Sequence, residues 1–304
     1  MKDGGKSLLI VILNYLNYED TINCVNNLMS FNSLKENTTF VIVDNCSPND
    51  SFNKLQMTFI NKDNIDVISS DRNGGYSYGN NFGIKYETRK RKFNYIAILN
   101  PDVFIENDIF PHLISDLENN DSLGMVTCSV LIDDSFDIYN QSWEMPTISE
   151  MYTQQFLLNK KKKAPFHYKR IRKELFLAEI IPGSFFIIKA ELFKNIGYFD
   201  EHIFMYNEEI ILSKKIQNRN MNIGIDFSEY YCHKHKSASS NAAWNNYRYK
   251  FNLVMEQYKW TYESRKYVCK RIYGGKGLIG LKIVNKVNIL LLYLKHSLSY
   301  FMVK

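Results

Sequence analysis

Residues 95–105, YIAILNPDVFI, decide how the rest of the chain is read. Tyr95-Ile96-Ala97-Ile98-Leu99 is an unbroken apolar run of strand length, bounded by polar residues, which is the pattern of a strand buried on both faces. Pro101 has no N–H to give to a ladder, so the strand stops at Asn100-Pro101-Asp102. Val103-Phe104-Ile105 resumes at once. One carboxylate, Asp102, therefore stands at the tip of a buried strand. In open α/β sheets ligands bind outside the carboxyl ends of the strands. The stretch alone reads equally as a turn or as a place to hold a metal and a diphosphate.

On the amino-terminal side the same pattern repeats. Residues 8–13 (LLIVIL), 39–43 (TFVIV) and 65–69 (IDVIS) read as strands. Between them, 19–29 carries Ile22, Val25, Leu28 and Met29 at helical spacing, and 78–88 reads as a helix. Such alternation predicts a doubly wound, mostly parallel sheet flanked by helices. Beyond Asp108 the expectation continues with a helix over 109–119 and a strand over 125–131. A strand pair around Pro182-Gly183 (180–189), helices over 191–197 and 207–218, and a strand over 226–231 complete the pattern. Residues 133–178 run from acidic to aromatic to basic without a clear period. There is no repeat or low-complexity linker, so the economical division is one domain over 1–245 and a helical extension over 246–304.

The net charge of +6 is concentrated. Residues 160–173 carry eight basic residues and no acid, and no acidic residue follows Glu263. Such runs suit phosphate-rich partners, including an anionic membrane surface. Nucleic acid is not expected, because no recognition motif accompanies the charge. Five scattered cysteines without a CxxC pair suit a reducing compartment. The first apolar run is too short for a signal peptide, and uncharged runs such as 287–294 are too short to span a bilayer.

Three strand ends fall at one edge of the expected sheet: Asn14-Tyr15, Asp44-Asn45 and Asp102. Asn73-Gly74-Gly75 lies between them, where glycine lets backbone approach a ligand closely. The loop is neither GxGxxG nor GxxxxGK[ST], which disfavours a nicotinamide cofactor or a P-loop nucleotide site. Glu208-Glu209 opens a helix, where acids cap the dipole. One of the pair, buried, also suits a general base. His233 and His235 follow a strand, without the second ligand pair a Cys/His zinc site needs.

Taken in order, VILNY (11–15), VDNCSPND (43–50), NGGYSYGNNFGI (73–84), LNPDV (99–103), PGSFFIIK (182–189), GYFDEHIFMYNEE (197–209) and HKHKSAS (233–239) resemble glycosyltransferase family 2, closest to its bacterial rhamnosyltransferase-like members. The resemblance covers about residues 7–260. It implies a GT-A fold, a nucleotide-diphospho-sugar donor, Mg2+ or Mn2+, and inversion at the sugar carbon. It implies donor contacts from Asn14, Tyr15, Asp44, Asn45, Asp71, Asn73, Gly74, Asn100 and Glu208. Asp102 matches the family's metal-binding aspartate, and His235 or His233 its late histidine. Glu209 falls where the family usually has its catalytic Asp.

Asn100 stands for the first carboxylate of a full DxD, Glu209 adds a methylene of reach, and Ile211 stands where many relatives carry another acid. The Glu209 and Ile211 departures leave a second possibility, a catalytically inactive nucleotide-sugar-binding module on the same fold. Residues 278–303 combine apolar positions with Lys282 and Lys286, four apart on one helix face. A basic amphipathic helix lying in a membrane surface accounts for both features. The expected setting is the cytoplasmic face of the cell membrane. The acceptor there would be a glycan or a polyprenyl-diphosphate-linked saccharide of bacterial surface polysaccharide synthesis.

Overall fold

The structure is a computed structural model describing residues 6–154, 168–234 and 247–302. His235 and residues 160–167 of the basic run lie outside the described residues. The strands are β1 (Leu8–Asn14), β2 (Thr38–Asp44), β3 (Ile65–Ser69), β4 (Tyr95–Leu99), β5 (Val103–Phe104), β6 (Leu123–Ile132), β7 (Ser135–Phe136), β8 (Lys169–Arg172), β9 (Leu175–Ala178), β10 (Phe185–Lys189) and β11 (Asn222–His233). The helices are α1 (Tyr18–Met29), α2 (Ser51–Phe59), α3 (Gly75–Thr88), α4 (Phe110–Glu118), α5 (Ile148–Thr153), α6 (Ala190–Asn195), α7 (Glu208–Gln217), α8 (Tyr247–Tyr273) and α9 (Leu278–Met302).

All these strands join one sheet in the order β3-β2-β1-β4-β10-β6-β11-β9-β8, with β5 on β11 and β7 on β6. The first four run parallel, as the alternating pattern predicts. Beyond β4 the sheet is mixed: β10 is antiparallel to both β4 and β6, and β9 is antiparallel to β11. The carboxyl ends of β1, β2, β4, β6 and β11 therefore meet the amino end of β10 at a single edge.

Both faces of the sheet are covered, and strand alternation divides the core. Leu8, Ile10 and Ile12 join one apolar cluster with α1, α2 and α4. Leu9 and Val11 join another, with Ile84 of α3, Phe193 of α6 and Leu212 of α7. A third cluster holds Met151 of α5, Ile210 and Ile211 of α7, Val268 and Cys269 of α8 and Leu281 of α9. Residues 246–304, read from sequence as an extension, thus supply helices packed against α5 and α7.

Two local expectations are corrected. Only residues 185–189 of the anticipated strand pair form a strand, and Ile180 makes a lone bridge to Trp143. Pro182 has no N–H for a ladder, so the Pro-Gly turn is left at the sheet edge. The strand anticipated over 226–231 runs from Asn222 to His233, with an irregularity between Asp226 and Tyr230.

The helix expected from residue 78 begins three residues earlier, because the Asn73 carboxamide oxygen accepts from the Gly75 N–H at 3.1 Å. Gly75 has φ +83°, and a Cβ there would lie 2.0 Å from the Phe204 carbonyl oxygen. The close approach anticipated for this loop is made, but to Phe204 backbone, whose oxygen accepts from Tyr76 N–H at 2.8 Å. Replacing Gly75 by Ala adds left-handed strain and a backbone clash. The expected loss is at least 1–3 kcal/mol (order of magnitude,), read as a lower denaturation midpoint in urea with an unchanged slope.

Candidate active site

The strand ends build the site in two parts. On the β1–β2 side, Asn14 and Asp44 are paired across the ladder and both are buried. Asn14 Nδ2 donates to Asp44 Oδ1 at 2.7 Å, and Thr21 Oγ1 donates to Asn14 Oδ1 at 2.8 Å. Ser47 gives Asp44 two further bonds, from its N–H at 2.8 Å and its Oγ at 2.7 Å. Asn45 Nδ2 donates to Asn73 Oδ1 at 3.0 Å and to the Gly75 carbonyl at 3.2 Å. Asn14, Asp44, Asn45 and Asn73 are thus one hydrogen-bonded unit, turned largely inward. Tyr15 and Asp71 are exposed beside it. Tyr78 donates its hydroxyl to Asp71, and that bond holds the Asp71 carboxyl below its ordinary range. A Cβ on Gly74 would meet the Tyr78 ring.

On the other side is a cleft of about 990 Å³. Asn100, Gly183, Ser184, Glu208, Glu209 and His233 all line it. Asp102 joins this group through pairing of β5 with β11, which sets His233 opposite Val103. His233 Nε2 lies 3.1 Å from Asp102 Oδ1, and the Lys234 N–H donates to the Asp102 carbonyl at 3.0 Å. Of the two candidate histidines, His233 faces Asp102; His235 lies outside the described residues. The Asp102 side chain is 30% exposed and that of His233 14%, so an oxygen and a nitrogen donor converge near the cleft. Asp102 and His233 are thus the residues here that could hold a divalent cation.

Glu208 and Glu209 open α7 after an unusual turn. Tyr206 and Asn207 are both left-handed, at φ +69° and +65°. Helix α8 braces that turn: Ser264 Oγ donates to the Met205 carbonyl at 2.7 Å, and Trp260 packs its ring 5.2 Å from that of Phe204. Glu208 Oε2 is buried, without a hydrogen-bond partner among the described residues. Burial, and then the charge of Glu209, push the Glu208 carboxyl well above the usual range.

Several cleft residues escaped sequence reading. Tyr76 donates to the Gly183 carbonyl at 2.6 Å, and burial, then Glu208 and Glu209, raise its phenol well above its ordinary value. It lies inside NGGYSYGNNFGI, so its position was visible and its contacts were not. Asn81, in the same stretch, clasps the Phe199 backbone, donating to its carbonyl and accepting from its N–H, each at 3.1 Å. Asp137, Tyr139 and Trp143 form a further wall from the stretch that showed no clear period.

Known proteins share this layout. A family model described as "Glycosyl transferase family 2" matches residues 7–210. The low-salt glycan biosynthesis hexosyltransferase Agl10 of Haloferax volcanii is 28% identical over 217 residues, 71% of this chain. The chain spans 64% of that relative's length. Among solved structures, GalNAc-T7 with UDP, GalNAc and Mn2+ superposes with a TM-score of 0.59 at 12% identity, covering 89% of this chain and 57% of that one. TarS of S. aureus gives 0.52 at 14% identity, covering 82% and 39%. These likenesses establish the GT-A fold.

The raised Glu208 carboxyl has a stability consequence. Its proton is held more tightly in the folded chain than in the unfolded one. Stability is therefore full below the unfolded value near 4.5 and declines as pH rises from there toward the folded value. Glu208→Gln removes that decline. Urea denaturation at pH 5 and pH 8 should show a smaller loss for the variant than for the natural chain. From the matched family model, the fold and the ordered strand-end motifs, the chain belongs to glycosyltransferase family 2.

Proposed function

We propose that this chain is an inverting, metal-dependent transferase that moves a sugar from a nucleotide-diphospho-sugar to a hydroxyl of a glycan acceptor. The observation that carries the reading is the shared cleft. Glu208 and Glu209 enter it from α7, and Asn100 and His233, neighbours of Asp102, enter it from the sheet edge. Inverting displacement needs both parts. One carboxylate takes the acceptor hydroxyl proton as its oxygen bonds to the anomeric carbon. The bond from that carbon to the diphosphate breaks, and the diphosphate leaves with the electron pair.

Glu209 is our base. Glu208, whose carboxyl burial and then Glu209 push well above its ordinary value, would serve as a hydrogen-bond donor toward the donor sugar. Asp102 and His233 would hold a divalent ion, which when bound supplies charge neutralisation for the leaving diphosphate. The inward unit of Asn14, Asp44, Asn45 and Asn73 shapes the nucleoside side, with Tyr15, Asp71 and Gly74 at its surface. Tyr139, Trp143 and Tyr206 offer ring faces of the kind that sugars stack on.

Among the described residues no helix is long and apolar enough to cross a membrane. One face of α9 is nevertheless apolar and exposed: Ile279 is 78% exposed, Ile283 59% and Leu290 60%, with exposed Lys282 and Lys286 alongside. The opposite face, with Leu281, is buried in the third core cluster. This arrangement supports α9 lying on an anionic membrane surface, which would bring the enzyme to a lipid-linked acceptor.

Glu209→Gln should lower sugar transfer about 10²–10⁴-fold while nucleoside-diphosphate affinity is retained, measured by product formation and calorimetry. Asp102→Ala should instead weaken Mn2+-dependent nucleotide binding. A natural chain that binds nucleotide-sugars with Mn2+ but transfers and hydrolyses none would be an inactive binding module. For the membrane, Ile283→Asp with Leu290→Asp should abolish flotation with vesicles containing phosphatidylglycerol without changing the melting temperature.

A further inference from the structure

A second group of ligand-type side chains lies away from the cleft. His112 and Asp116 stand four residues apart on α4, hence on one helix face. Asp226 of β11 meets them, and one ligand atom from each of the three lies within 4.8 Å of the others. None of the three lines the cleft. On β6, Cys128 pairs with Asp226 and Ile132 with His233. That separation of four residues is about 13 Å along the strand.

The surrounding contacts orient the two carboxylates and occupy one oxygen of each, and Ser228 Oγ also lies 3.4 Å from His112 Nε2. Asp226 Oδ1 accepts from the Ser228 N–H at 2.7 Å and from Ser228 Oγ at 2.5 Å. This leaves Asp226 Oδ2, 3.0 Å from His112 Nε2. His112 Nδ1 lies 4.0 Å from Glu229 Oε1. Arg172 binds Asp116 Oδ1. Asp116 itself is fully buried, and among the described residues no N–H or hydroxyl donor reaches its buried Oδ2. A buried carboxylate oxygen without a partner is costly, and a cation removes that cost.

Charge points the same way. Asp116, Asp226 and Glu229 carry three negative charges when ionised, against one positive charge on Arg172 when His112 is neutral, as a metal ligand must be. A divalent ion balances the remainder.

We propose that His112, Asp116 and Asp226 form a zinc site that fastens α4 to β11, separate from the Asp102–His233 pair. One imidazole and two carboxylates suit tetrahedral Zn2+, with water from the partly exposed His112 side as fourth ligand. Tetrahedral bonds of about 2.0–2.1 Å put neighbouring ligand atoms about 3.3 Å apart, close to the observed His112–Asp226 spacing. The Ser228 hydrogen bonds to Asp226 are the outer partners such a ligand usually has, and Glu229 stands 4.0 Å from His112 Nδ1.

The test uses the full chain with Cys46, its exposed thiol, replaced by Ser, after chelator treatment and dialysis. ZnCl2 is titrated by calorimetry and by thermal melting, with MgCl2 as the comparison. CoCl2 then reports geometry through its visible absorption. We expect one Zn2+ per chain, a melting temperature raised by Zn2+ and not by Mg2+, and a tetrahedral cobalt spectrum without thiolate bands. His112→Gln, a half-exposed position that leaves the core intact, and Asp226→Asn should each weaken Zn2+ about 100-fold or more, whereas Asp102→Ala should leave it unchanged. Three results would overturn the site: no zinc-dependent rise in the natural chain, Asp226→Asn and His112→Gln binding as tightly as the parent, or loss of zinc binding in Asp102→Ala.

Discussion

The register of β1 between β2 and β4 is the constraint on which everything else depends. β1 is hydrogen-bonded on both sides, with Asn14 opposite Asp44 and Ile12 opposite Leu99. A slip of one residue would turn Leu8, Ile10 and Ile12 from the cluster under α1, α2 and α4 to the opposite face. Because both faces are buried, that slip has nowhere to put the displaced side chains. The register therefore fixes where the three parallel strands end, and so where Asn14, Asp44 and Asp102 stand. The site inherits its geometry from core packing rather than from any loop of its own.

The second half of the edge is built by a different device. β10 enters antiparallel beside β4, so its amino end brings Gly183 and Ser184 to the level where β4 finishes; Asn100 N–H donates to the Ser184 carbonyl at 2.8 Å. The two-residue β5 then pairs with β11, and that short ladder brings His233 against Asp102. Pro101 is what makes this possible. By ending β4 it lets Val103 and Phe104 leave the β1–β4 ladder and join a strand far later in the chain.

This division explains what could be read in the sequence. Strands β1 to β4 are continuous apolar runs with polar residues at their tips, so their existence, their parallel order and their ends were legible. The mixed half was not, because strand direction after β4 is set mainly by pairing between residues far apart in the chain and leaves no local signature. The same holds within the site. The carboxylates and histidines were visible by type, but that His233 faces Asp102 follows only from the β5–β11 register. Tyr76 and Asn81 were hidden because a tyrosine and an asparagine on a helix look ordinary until Gly183 and Phe199 are known to face them. Gly75 was visible as a close approach, but whether to a ligand or to Phe204 was a tertiary fact. Residues 133–154 lacked a period because they form a wall of short turns, a lone bridge and one capped helical turn, with little regular structure to give one.

The acids of the edge differ in how much hydrogen-bonding capacity they have left. Asp44 already accepts three bonds, from Asn14 and twice from Ser47, out of about four that a carboxylate can take. Its charge is absorbed by protein donors, and its main work in this structure is to hold β1, β2 and the 45–50 turn in one piece. Glu208 is the opposite case: an oxygen buried beside a cleft, with no donor among the described residues, next to another carboxyl group. The fold sustains that arrangement only because the left-handed Tyr206–Asn207 turn is locked from outside, by Ser264 on the Met205 carbonyl and by Trp260 on Phe204. Such a turn and such an oxygen are both unfavourable, and neither improves the packing of α7. A structure that retains both, and spends part of a 27-residue helix to brace them, keeps a carboxylate poised against the cleft instead of burying an apolar side chain there.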